Sequence, residues 1–164
     1  MKFSFFKKLF GNSEEELPKV GLQKKARIGK GTVQMNWFEN ESINLPKTLY
    51  HHLTFPIEAF DSGIDYVEQP EETELHIDQL NLQLSNPRDL DGCELSQQSH
   101  PEIECSIYLG WRHNPCDVLG LKINRTEGNT YQVTGKLKVD FEFEGVAQNE
   151  IFTFSATAEF PESE

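Results

Sequence analysis

Over residues 102–160 the apolar side chains fall at every second position, the pattern of a strand with one buried and one wet face. No helix-period stripe of useful length appears after residue 20. The alternation resolves into four strands. In 102–112 the buried frame holds Ile103, Cys105, Ile107, Leu109 and Trp111, with Glu104, Ser106, Tyr108 and Arg112 opposite. Residues 117–124 set Leu119, Leu121 and Ile123 on one side. After the turn-forming "TEGN", residues 130–144 carry Tyr131, Val133, Leu137, Val139, Phe141 and Phe143 in one frame, with Gly135 read as a bend or bulge. The last strand turns Phe152, Phe154, Ala156, Ala158 and Phe160 inward.

Connections this short join neighbouring antiparallel strands, and the resulting meander leaves one apolar face to be covered. The first half supplies cover in "TVQMNWF", "TLYHHLTF" and "ELHIDQLNLQL". In the third, the apolar parity changes between Ile77 and Leu80, which predicts a bulge near Asp78 and Gln79. The expected fold is mainly β, an antiparallel two-layer sandwich or flattened barrel of about seven strands with a C-terminal four-stranded meander. The turn-rich stretches 57–73 and 85–101 read as long loops.

Charge divides the chain. Residues 1–30 carry eight Lys/Arg against three Glu, whereas 31–164 carry seven against twenty-four Asp/Glu. The division predicts a basic N-terminal helix and linker over 1–30 and one acidic β domain over 31–164. On a helix, Phe3, Phe5, Phe6, Leu9 and Phe10 of "MKFSFFKKLF" share one face, with Lys7 and Lys8 opposite. Such a short amphipathic helix must dock to persist. Phe3, Phe6, Lys7, Lys8 and Phe10 are therefore candidate membrane or docking residues. Because Lys7 and Lys8 interrupt the apolar stretch, no signal peptide is expected; three unpatterned cysteines fit a reducing cytoplasm.

Catalytic and metal motifs do not assemble. "RIGKGT" lacks the Ser or Thr after lysine and the earlier glycine that a phosphate loop needs. His51 and His52 point to opposite faces of one strand; only "HNPC", read as a tight turn with His113 and Cys116, has ligand-like spacing. Asp140, Glu142 and Glu144 line one strand face in a spacing compatible with paired-carboxylate hydrolysis, but opposite Phe141 and Phe143 they read as a solvated surface. Trp111 reads as core rather than contact, because it continues the frame of Ile107 and Leu109. Neither a cofactor nor a metal is expected.

Residues 58–104 hold thirteen carboxylates against one base, Arg88. A field of that sign repels nucleic acid and attracts basic proteins. The expected function is that of a non-catalytic cytoplasmic binding protein whose acidic loops engage a basic partner through Asp61, Asp65, Glu68, Glu71 and Glu72. An immunity protein that neutralises a basic toxin is one such case. The second reading is a membrane-recruited accessory or lipid-binding β protein, touching the bilayer only peripherally through its N-terminal segment.

Overall fold

The computed structural model describes residues 15–162. The expected N-terminal helix with Phe3, Phe6, Lys7, Lys8 and Phe10 lies outside the described residues. The elements are a one-turn helix α1 (Leu22–Lys25) and eight strands, β1 (Gly31–Asn40), β2 (Leu45–Phe60), β3 (Glu71–Leu80), β4 (Cys93–Leu95), β5 (Glu104–Leu109), β6 (Arg112–Glu127), β7 (Thr130–Val139) and β8 (Glu150–Glu159). The fold is mainly β, one mixed sheet in which seven strands form a ring.

Neighbouring pairs run β1–β2–β3–β5–β6–β7–β8, all antiparallel, and a short parallel contact of Gly31 and Thr32 with Ala158 and Glu159 returns β8 to β1. The sixteen residues of β6 serve three partners, β5 at its start, β7 along most of its length and β4 against Leu121–Ile123. Strands β5 to β8 thus pair in chain order, as their alternation demands. The eighth strand, β4, lies inside a stretch read from sequence as loop. The flanking strands also reach further than expected, β2 continuing to Phe60 and β3 beginning at Glu71.

One continuous core fills the ring, with Leu53, Phe55, Leu75, Ile77, Ile107, Leu121, Val133, Leu137, Phe141 and Ala158 almost fully buried. The bulge near Asp78 and Gln79 is present: His51 and Leu53 oppose Leu80 and Ile77, and Gln79 takes φ 61°. Gly135 occupies an unbroken ladder rather than a bend. A Cβ there would lie 2.3 Å from the Phe154 ring, so the glycine is a seat for that ring.

Four sequence expectations are corrected. Leu119 faces solvent because a register shift between Val118 and Gly120 rotates it out of the frame of Leu121 and Ile123. Phe143 is exposed because β7 ends at Val139, and the following loop buries Phe141, Val146 and Ala147 instead. Trp111 is exposed because β5 and β6 are joined by a two-residue turn at Gly110 and Trp111. "HNPC" is strand rather than turn, so His113 points out against Tyr108 while Cys116 is buried.

The basic stretch 18–30 lies along the ring. Val20 and Leu22 are fully buried, and the Glu150 carboxylate accepts from the Gly21 and Leu22 N–H groups at 3.0 and 2.9 Å. Gln23 matches its side-chain amide to the Thr153 main chain, accepting from its N–H at 2.8 Å and donating to its carbonyl at 3.0 Å. One side chain therefore does for β8 what a neighbouring strand does elsewhere. Ile28 bridges Ile57 of β2, continuing that wall below β1.

Candidate partner-binding site

Three connections meet at the end of the ring where β2 finishes: the 61–70 loop, the Gly110–Trp111 turn and the 140–149 loop. The first is tied down internally. Buried Ser62 donates through its main chain to Gln69 Oε1 at 2.9 Å and through its hydroxyl to the Glu71 carboxylate; Gln69 returns a bond to Ser62 Oγ at 2.8 Å. The Gln69–Pro70 peptide is cis.

This loop clamps the turn. Glu71 Oε1 accepts from the Gly110 N–H at 3.1 Å, and the Tyr66 hydroxyl donates to the Gly110 carbonyl at 3.2 Å. Gly110 takes φ 62°, and a Cβ on it would lie 2.9 Å from both Tyr66 Oη and Val146 Cγ1, so only glycine fits. Burial raises the Tyr66 phenol above its ordinary pKa, with Glu71 and Asp65 adding to the shift and Arg112 opposing it, which keeps the hydroxyl a neutral donor.

Trp111 follows with φ 59°, giving the two left-handed central residues of a type I′ hairpin turn. Left-handed backbone costs an L-residue about 1–2 kcal/mol, and a bulky side chain rarely occupies it. Here the indole is 59 % exposed, with the Tyr66 ring beside it at a centroid distance of 5.5 Å. Tyr66 is itself half exposed, and Phe143 in the neighbouring loop is 73 % exposed.

Carboxylates flank these rings. Asp65 and Glu68 are exposed on the loop, and Glu72 is exposed on β3. Asp61 is exposed but turns one oxygen to the Gly63 N–H at 2.9 Å. Glu71 serves the fold, both oxygens being engaged by Gly110 and Ser62. Of the five acidic residues singled out from sequence, Asp65 and Glu68 belong to the Tyr66 loop, Asp61 borders it, Glu72 stands beside it and Glu71 holds it together. Sequence reasoning missed Trp111, although "GW" between two strand frames carries the signal of a two-residue turn.

Asp140, Glu142 and Glu144 do not share a strand face. Asp140 accepts from the Phe143 N–H at 3.2 Å, Glu142 from the Asn149 N–H at 3.3 Å, and Glu144 pairs with Arg112 at 3.7 Å. Among the described residues no three His, Cys, Asp or Glu side chains converge as a metal-binding group. The thiols of Cys105 and Cys116 meet inside the core, where their hydrogen bond and then burial hold Cys105 well above the ordinary thiol range. No helix among the described residues is long and apolar enough to cross a membrane. Comparison with protein-family models, curated proteins and solved structures finds no match to this chain.

Proposed function

We propose that this chain is a non-catalytic cytoplasmic binding protein, a flattened β barrel whose aromatic and acidic end takes a basic segment of another protein. The observation that carries the reading is Trp111, held in a strained backbone conformation yet left open to solvent beside Tyr66. Strain confined to an exposed position is a pointer to function. Indole and phenol faces attract guanidinium and ammonium groups, and Asp65 and Glu68 add long-range attraction. An immunity protein covering a basic toxin is one member of this class.

Tryptophan fluorescence makes the test direct, because Trp37 and Trp111 are the two tryptophans. In a Trp37→Phe background, an arginine-rich peptide should change Trp111 emission saturably, with affinity falling as salt rises. An acidic peptide of equal length should not. Equal responses to both peptides, or binding unchanged by Trp111→Gly, would overturn the reading.

A further inference from the structure

The described residues begin at the end of the ring that carries Trp111. With falling residue number the basic stretch climbs β8 toward that end: Gln23 lies against Thr153, Leu22 against Glu150, and the Pro18 carbonyl accepts from the Gln148 N–H at 2.9 Å. The Gln148 side chain also donates to the Leu17 carbonyl at 2.7 Å and to the Glu16 carboxylate at 3.3 Å. On its other side the stretch passes the 61–70 loop. There the Lys19 carbonyl stands 4.0 Å from where a Cβ on Gly63 would lie, and Lys25 Nζ donates to the Asp61 carbonyl at 3.0 Å. Residues 16–19 therefore leave the ring between the two loops that display Tyr66 and Phe143.

The sequence that precedes this exit complements what the end displays. Residues 1–12 carry Lys2, Lys7 and Lys8 and no acid, together with Phe3, Phe5, Phe6 and Phe10. The end offers the exposed rings of Tyr66, Trp111 and Phe143 and the exposed carboxylates of Asp65, Glu68 and Glu142. Cations meet carboxylates, and apolar rings meet rings that nothing else covers. Extended, the residues 1–14 span up to about 46 Å, and ten helical residues span about 15 Å, so length does not limit the contact.

We propose that residues 1–12 of the same chain occupy the aromatic and acidic end, their phenylalanines covering Trp111 and Tyr66 and their lysines facing Asp65 and Glu68, so that a basic partner must displace them. The proposal rests on the reading of that end as a site for basic segments and gives the site a built-in competitor. Tethering favours this occupant. A short tether sets an effective concentration on the order of 1 mM, which a second copy in dilute solution does not reach. The acidic body also opposes approach to another acidic body or to an anionic bilayer. An internal contact with a dissociation constant of only about 0.1–0.3 mM would then fill the site for roughly three-quarters to nine-tenths of the time, and releasing it should tighten partner binding by roughly four- to tenfold.

Trp111 reports the contact in the full chain carrying Trp37→Phe. Phe6→Ser with Phe10→Ser, and separately Lys7→Glu with Lys8→Glu, should each move Trp111 emission to longer wavelength and tighten the binding of an arginine-rich peptide by roughly four- to tenfold. Emission of the parent chain should not depend on its concentration. Far-ultraviolet circular dichroism and urea denaturation establish that both variants are folded. Emission and peptide affinity unchanged in both variants would overturn the proposal while leaving the binding site standing. Parent emission that shifts with protein concentration would assign the segment to a second copy, and emission that shifts only with phosphatidylserine vesicles would assign it to lipid; either result overturns the proposal. A peptide that binds none of the chains would instead remove the reading of the site, and the emission change in the two variants would still establish that residues 1–12 cover Trp111.

Discussion

Replacing Trp111 by glycine separates a displayed side chain from a packed one. With 59 % of the residue exposed, about 100 Å² of a ring that offers up to about 250 Å² is covered, worth about 2.5 kcal/mol as an upper bound. The Tyr66 contact adds about 0.5–1 kcal/mol. Against this, glycine releases about 1–2 kcal/mol of left-handed backbone strain and gives back about 0.5–1 through its freer unfolded chain. The expected net loss is about 1.5–3.5 kcal/mol as an upper bound, or a fall in Tm of about 3–14 °C for a chain of this size. Truncating a fully buried aromatic such as Phe141 should cost about 3–5 kcal/mol. Urea denaturation of wild type, Trp111→Gly and Phe141→Ala, with m-values compared, measures both losses. Trp111→Asn provides a control, since asparagine tolerates the left-handed region without glycine's added entropy. A loss at Trp111 as large as that at Phe141 would make the indole a packing anchor and remove the principal support for the binding site.

Gly135→Ala should destabilise by about 2–3 kcal/mol because its Cβ would stand 2.3 Å from the Phe154 ring. Phe154→Leu in the same chain should recover at least about 1 kcal/mol, a coupling that a double-mutant cycle in urea reads out. Asp65→Asn with Glu68→Gln should leave stability within about 0.5 kcal/mol but flatten the salt dependence of arginine-rich peptide binding, measured by titration at low and high ionic strength. His51, buried with its Nε2 at 2.7 Å from the Pro87 carbonyl, has its pKa lowered, chiefly by burial, while the unfolded chain keeps the ordinary value of 6.5. The folded state therefore binds fewer protons, and the stability linked to His51 is full above pH 6.5 and lost as pH falls toward the folded pKa. Urea midpoints at about pH 7.5 and 5.5 should differ less in His51→Leu than in wild type.

The alternation that marked Ile107, Leu121, Val133, Leu137 and Phe154 as inward was legible because a one-residue slip would expose a whole strand's apolar set. The bulge at Asp78 and Gln79 was legible for the same reason, as a change of parity within one run. Leu119 and Phe143 were misplaced where parity fails without an apolar residue to mark the change, at a bulge and past a strand end. Trp111 was misplaced because Pro115 looked like the turn. Proline is accommodated within β6 there, opposite Ser106, while its carbonyl accepts from Asp140 N–H at 2.8 Å. The acidic half of the candidate site was readable from charge, but its geometry was not, since Glu71 looks like Glu72 until Gly110 and Ser62 are placed beside it.

Two local rules are broken on the surface of this otherwise consistent fold, and they are broken at opposite ends. Trp111 stands where glycine or asparagine is expected, and β1 runs without a charge from Gly31 to Phe38 where an edge strand is expected to carry lysine or proline. Such departures are where function is sought, because folding alone selects against them. β2 spans both ends in sixteen residues, about 50 Å at 3.3 Å per residue. The two tryptophans consequently separate in one experiment: Trp37→Phe should leave the affinity for an arginine-rich peptide unchanged, whereas Trp111→Gly should lower it.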